Sequence, residues 1–426
     1  MGEGSSGDVY RCFDPILKRE VAVKVPLVSL DSDELRSVVQ AFYHEAEMGA
    51  QFHHANVVMV YDVGGNLEVD SQSSRDTRSH FLVMELASEV TLKDYLQQQG
   101  RLGVKDTLEV VFECCKALDY IHYKGILHRD IKPANILYDP ASRQLKITDF
   151  SLSEYEGSTT EKQVGTLPYS APEHFIAERK ISYQTDLFAL GSVMYQLLTG
   201  VCPFQGSSMD EVASNIVSSH PQPVRQYRDD VPTQVEFILA KAMSKRVRDR
   251  FQSAVEFTDA VSLALKTMGV VQQNQADTHR KNAVIDEYLL LRNNSWFNEF
   301  SPDQIDELVR SGRVLSYDAE EYILQEGEKA DSFYTLLEGE ADVVQGGQII
   351  NELKPGACFG ELGHLTHAHT RTASIRAKVA VRVLAVETEK LLNMSSDSQA
   401  GFYKAFLTIT MERLIEKNLQ VTGVSD

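Results

Sequence analysis

Asp130, Asn135 and Asp149 are the residues through which this sequence can be read as chemistry. Asp130 stands in the string His128-Arg129-Asp130-Ile131-Lys132-Pro133-Ala134-Asn135, where its carboxylate can accept the proton of an incoming hydroxyl. Asn135 and the aspartate of Asp149-Phe150 offer hard oxygens to magnesium, which would neutralise the phosphates of a nucleotide such as ATP. Ala171-Pro172-Glu173 follows downstream. One such short match could arise by chance, but an ordered set in which each part has its own task in phosphoryl transfer does not.

Such a set needs a phosphate cradle and a scaffold to aim it. Gly2-Glu3-Gly4-Ser5-Ser6-Gly7-Asp8-Val9 fits G-x-G-x-x-G-x-V, in which glycines let backbone amides approach phosphates that a side chain would keep away. A dinucleotide-binding fold would require a helix straight after Gly7. Here Val9-Tyr10-Arg11-Cys12-Phe13 and Val21-Ala22-Val23-Lys24-Val25 read instead as two strands around a turn.

With these residues in view, positions 1–265 resemble a bacterial-type serine/threonine protein kinase, and Lys132, two places after Asp130, fits the serine/threonine subgroup. The resemblance implies an α+β bilobal fold and catalytic roles for Asp130, Lys132, Lys24 and Glu45. ATP would meet Gly2, Gly4, Gly7, Val9, Ala22 and Lys24, with Met84 guarding the back of the adenine pocket and the backbone from Glu85 to Ala87 reading the base edge. Asn135 and Asp149 would hold magnesium. Glu47 rivals Glu45 as the partner of Lys24, but Phe42, Ala46, Gly49 and Ala50 flank Glu45 as on a buried helix face. Asp186 is expected to hold the catalytic-loop backbone, and Glu173 to pair with Arg250. Arg129 would receive a phosphate from the segment 149–173, for which Ser158, Thr159 and Thr160 are the candidates. Thr166 would line the substrate groove and touch Asp130.

Two departures from that pattern stand out. Ser151 replaces the glycine of the Asp-Phe-Gly element, which keeps the metal aspartate but removes conformational freedom next to it. Only Met1 precedes the glycine loop, so a shortened reading frame or a fragment is expected. Gly64 to His80 reads as a hairpin insert between two strands.

Composition shifts after Ala264, and 266–283 reads as a polar linker. A helical stretch through Val284, Tyr288 and Leu291 follows, then an amphipathic piece from Pro302 to Val309. Beyond Val314, short strands at Tyr322–Leu324, Phe333–Leu337, Ala341–Val344 and Val379–Val386 alternate with turns at Gly327, Gly339 and Gly346-Gly347, the spacing of a small antiparallel barrel. Phe359-Gly360-Glu361-Leu362-Gly363 and Arg371-Thr372-Ala373-Ser374 resemble the phosphate cassette of cyclic-nucleotide-binding domains. The resemblance implies, for 284–426, a β-barrel of the double-stranded β-helix or jelly-roll type with flanking helices, and a multidomain protein overall. Its ligand would meet Gly360, Glu361, Leu362, Gly363, Arg371 and Thr372. A guanidinium suits paired hydrogen bonds to a cyclic phosphate, and amides at a helix start suit the same anion. Thr372 inclines the choice toward cyclic GMP, with cyclic AMP the alternative. The histidines 364, 367 and 369 read as loop residues rather than a metal site.

A net charge of −19 argues against nucleic acid as a partner, and no apolar run of membrane-spanning length is present in the 426 residues. The five cysteines lack metal or disulfide spacing, as expected in a reducing cytoplasm. The partners implied are a protein substrate and a cyclic nucleotide effector. A pseudokinase scaffold with a nucleotide-responsive docking role, and an active kinase whose empty barrel serves a homodimer, remain as alternatives.

Overall fold

The computed structural model describes all residues except 1, 5–6, 27–31, 66–79, 158–165, 177–179, 272–286, 289, 293–296, 298–299, 361–369, 408–410 and 412–426. It divides into two compact units, Met1–Gln273 and Asn274–Asp426.

The first unit opens with a five-stranded sheet of β1 (Gly2–Gly4), β2 (Gly7–Asp14), β3 (Arg19–Val25), β4 (Val60–Gly64) and β5 (Phe81–Glu85), in the order β1-β2-β3-β5-β4. β2 runs on directly from Gly7 and pairs antiparallel with β3, which excludes the helix that a dinucleotide fold needs there. Among the described residues a single helix, α1 (Ser32–Gly49), accompanies the sheet, and Phe42 and Ala46 of α1 pack with Ala22, Leu82 and Met84. β4 and β5 are antiparallel neighbours on either side of the insert expected at 64–80, whose residues 66–79 lie outside the described residues.

The rest of the unit is mostly helical. α2 (Leu92–Gln99) starts at a capping box in which Thr91 and Asp94 exchange hydrogen bonds, and stops at Gly100, whose φ is +74°. α3 (Val104–Tyr123) is buried along most of its length and packs on α4 (Tyr183–Thr199) and α7 (Ala254–Val271), with α5 (Met209–Ser218) and α6 (Thr233–Ala242) completing the set. Two short antiparallel pairs lie between α3 and α4 in the chain. β7 (Ile136–Tyr138) pairs with β8 (Leu145–Ile147), and β6 (Ile126–Leu127) with β9 (Glu154–Tyr155). The linker expected from 266 begins later, because α7 continues to Val271. Lengthening an existing helix adds one backbone bond per residue without a new nucleation cost, and no proline interrupts the run. Residues 272–283 of that linker lie outside the described residues.

The second unit holds two four-stranded antiparallel sheets, the jelly-roll form of the barrel. One is β10 (Arg313–Tyr317), β17 (Val381–Glu387), β12 (Ser332–Glu338) and β15 (Cys358–Phe359); the other is β11 (Tyr322–Leu324), β16 (Ser374–Ala377), β13 (Ala341–Gln345) and β14 (Gln348–Leu353). Leu336, Phe359 and Val383 of the first sheet share a core with Leu324, Ala341 and Ile375 of the second. Gly327, Gly339, Gly346 and Gly347 all have φ between +55° and +86°, which explains glycine at these turns. α8 (Pro302–Ser311) begins at a Ser301 capping box, and α9 (Thr388–Leu392) precedes a helix over 396–407. Among the described residues no helix is long and apolar enough to cross a membrane.

Candidate functional site

The antiparallel register of β2, β3 and β5 brings Val9, Ala22 and Met84 into one apolar cluster with the half-buried Leu86, Ala87 and Leu137. Glu85 donates its amide to the Met59 carbonyl at 2.8 Å, and its carboxylate meets Lys146 at 3.0 Å. Gly2 and Gly4 lie on β1 against β2. Gly7 has φ +156°, and a Cβ there would sit 2.5 Å from the Val25 carbonyl oxygen, so only glycine fits.

β3 aims Lys24 at α1, where its Nζ donates to both Glu45 oxygens at 2.7 and 2.6 Å, and Asp149 Oδ1 lies 3.7 Å away. Glu47, the rival partner, points outward and is exposed. Burial pulls the Lys24 pKa down, but the carboxylates of Glu45 and Asp149 together outweigh it and raise it, so the ammonium stays charged. For Asp149 burial acts upward and is outweighed by Lys24, a Ser151 hydrogen bond, His128 and Lys132, which hold the carboxyl below its ordinary value.

The catalytic string is a closed network. Asp130 Oδ1 accepts from the Thr166 amide and hydroxyl, each at 3.0 Å, and Oδ2 accepts from Lys132 Nζ at 2.5 Å and Asn135 Nδ2 at 2.9 Å. Lys132 also donates to the Thr166 hydroxyl at 2.8 Å. With its amide nitrogen committed to Asp130, Asn135 has its oxygen as the atom that can meet a cation. Asp186 accepts the amides of His128 and Arg129 at 2.9 and 2.8 Å and so holds the loop that carries Asp130. Arg129 and Asp149 take φ of +66° and +68°, strain that this packing supports. Ser151 is absent from the positive-φ residues, so the backbone here does not require the glycine it replaces. Phe150 packs between Phe52 and His128, with ring centres 4.6 and 4.9 Å away. Glu173 and Arg250 form a fully buried bidentate pair with both bonds at 2.7 Å.

A family model described as the protein kinase domain matches residues 1–260, and a cyclic nucleotide-binding domain model matches residues 314–398. The chain belongs to the protein kinase family. It is 35% identical over 263 residues to a probable serine/threonine-protein kinase PknB of Bifidobacterium longum, an alignment covering 60% of this chain and 37% of that protein. It is 33% identical over 261 residues to PknB of Mycobacterium leprae, with 60% and 40% covered, and 31% identical over 271 residues to PrkC of Bacillus subtilis, with 62% and 39% covered. The alignments thus take in about two fifths of the length of these curated relatives.

In the unit carrying the second match, Arg371 is buried and donates from its guanidinium to the Gly360 carbonyl, with the Tyr334 ring centre 5.7 Å away. Its own amide donates to Glu328 and its carbonyl accepts from Gly327, which pins the backbone on both sides. Thr372 is exposed. Glu361, Leu362, Gly363 and the three loop histidines lie outside the described residues, as do Ser158, Thr159 and Thr160 in the kinase unit. Phe402 packs on Phe333 of β12 with ring centres 4.1 Å apart.

Sequence reasoning passed over two residues. Leu137 joins the adenine-side cluster, and its place two residues after Asn135 on an alternating strand was a usable signal. Glu154 forms an ion pair with Arg129, and no local pattern in the sequence announces it.

Proposed function

We propose that this chain is an ATP- and magnesium-dependent serine/threonine protein kinase, transferring the γ-phosphate of ATP to hydroxyls of a protein substrate, with a cyclic nucleotide at the C-terminal unit as effector. The observation that carries this reading is Thr166 Oγ1 donating to Asp130 Oδ1 at 3.0 Å beside Lys132. A substrate serine or threonine presents the same hydroxyl chemistry, so Asp130 can take its proton while Lys132 steadies the charge that forms. Lys24, kept cationic and aimed by Glu45, suits the α- and β-phosphates, and Asn135 and Asp149 would supply the oxygens for magnesium. Bound magnesium would neutralise phosphate charge during transfer.

Arg371 supports the effector half of the proposal, because a buried guanidinium beside Gly360 can meet a cyclic phosphate in two parallel bonds. Nucleotide can switch the kinase only by binding its active and inactive states unequally, and a 100-fold preference supplies about 2.7 kcal/mol. We place the activity in the cytoplasm on the strength of five cysteines that lack metal or disulfide spacing. The test is transfer of labelled phosphate to a generic protein by the full chain, with and without cyclic GMP or cyclic AMP. Transfer that Asp130→Asn abolishes, and that nucleotide changes only while residues 274–426 are present, is the expected result. Transfer unaffected by Asp130→Asn would overturn the enzyme reading, and a response surviving removal of 274–426 would overturn the effector reading.

A further inference from the structure

Arg129 immediately precedes Asp130, and its backbone and side chain are held by different parts of the chain. Its amide donates to Asp186 at 2.8 Å, and its guanidinium, only 3% exposed, pairs with the Glu154 carboxylate. Glu154 reaches it because β9 pairs antiparallel with β6, which sets Glu154 opposite Leu127, two residues before Arg129. The neighbours of Glu154 are tied down as well. Ser153 donates its hydroxyl to the His128 carbonyl at 3.3 Å, and its own carbonyl meets His44 Nε2 at 2.6 Å. The Tyr155 hydroxyl accepts from Gln51 at 2.7 Å. His44 adjoins Glu45 on α1 and Gln51 lies just past its end, so residues 153–155 bridge the helix that aims Lys24 and the loop that carries Asp130.

We infer that Glu154 is a positioning residue for the phosphotransfer proposed above, acting through Arg129 as a resident carboxylate, so that Asp130 is set without phosphate on Ser158, Thr159 or Thr160. This deepens the kinase reading and rests on it. An ionised carboxylate on a guanidinium is the same kind of contact that a phosphate would make, and it needs no prior modification. A phosphate brought to this guanidinium would also meet the negative charge of Glu154.

The test uses the full chain treated with a protein phosphatase, beside a Ser158→Ala, Thr159→Ala, Thr160→Ala variant. Both should keep kcat within about twofold of untreated protein. Glu154→Gln should lower kcat at least tenfold with KM for ATP within twofold, since the adenine side and Lys24 are untouched, and Glu154→Asp should recover part of the loss. Glu154→Lys should be inactive when dephosphorylated and regain activity only when phosphorylated. A tenfold fall of wild-type kcat on phosphatase treatment, or an unchanged kcat in Glu154→Gln, would overturn the inference. Hydrogen exchange reads the contact without turnover: amides 126–130 and 153–156 should exchange faster in Glu154→Gln, and be indifferent to phosphatase in wild type. Equal exchange in the two proteins would also overturn it. A wild type no more active than Asp130→Asn would sink the kinase reading, and exchange would still decide the role of Glu154.

Discussion

The cleft around Asp130 and the cassette around Arg371 each bury a cation, and they hold it differently. Lys24 is clamped by both oxygens of Glu45, an ion pair built from a strand and a helix that the sheet register brings together. Arg371 donates to the Gly360 carbonyl over the Tyr334 ring, contacts with a dipole and a quadrupole. Both sets of bonds have an ionised donor, but a guanidinium is a planar fork that suits two parallel bonds to a phosphate, and an ammonium is a compact point charge. A phosphate at Arg371 would meet a fork that suits it, whereas one arriving at Lys24 must share the ammonium with Glu45. The kinase cleft is preset by its own side chains, and the cassette presents a buried guanidinium beside the Gly360 carbonyl.

The contrast breaks most visibly at Asp130. Replacing it with Asn keeps the size but removes the base, and kcat for labelled-phosphate transfer should fall by about 10²–10⁴ while nucleotide affinity, followed by fluorescence titration, stays near wild type. Glu173→Ala leaves Arg250 as an uncompensated buried charge and should cost about 3–5 kcal/mol in urea unfolding. The same pair has a pH signature. Burial acts to raise the Glu173 pKa, but Arg250 and Thr185 outweigh it and hold it below the ordinary value. The unfolded chain then binds the proton more readily, so this contribution is complete above the ordinary carboxylate range and is lost as pH falls through the folded value. Urea midpoints measured downward from pH 6 should drop in that window, and a midpoint that rose there would contradict the assignment.

On the cassette side, Arg371→Leu should weaken cyclic nucleotide by roughly 10- to 100-fold in calorimetry, the loss of a charged hydrogen-bond donor. Thr372→Ala sharpens the choice of base. If its hydroxyl reaches the guanine amino group, cyclic GMP alone weakens, by about 1 kcal/mol, and equal losses for both nucleotides would remove the preference. The smallest effect is expected at Ser151→Gly. Glycine freedom is not needed at this backbone position, so kcat should stay within about twofold, and a larger gain would mean that the serine restrains the segment.

Much of the cleft was legible because its parts lie close in the chain. Asp130, Lys132 and Asn135 fall within one short loop, so a covalent path of a few residues brings them into hydrogen-bond reach. The strands of the second unit were legible where glycines with positive φ punctuate them, although β10 and β14 went unread because alternation there is masked by exposed or charged positions, and β16 because an alternating run of four residues is short. The extent of α7 was misjudged from composition, since Lys266 to Val271, with Met268, Val270 and Val271 among them, propagate a helix already nucleated by the buried Phe257, Val261 and Leu265.

By itself the sequence determined the chemical roster: which carboxylates, which lysine and which arginine are present, and at what local spacing. Only tertiary structure decided the long-range partners. Glu45 meets Lys24 while Glu47 faces solvent because two residues on a helix are about 200° apart, and which face turns inward depends on how α1 packs against the sheet. Glu154 meets Arg129 because β9 pairs with β6 in one register, and a shift of a single residue would turn its side chain to the other face.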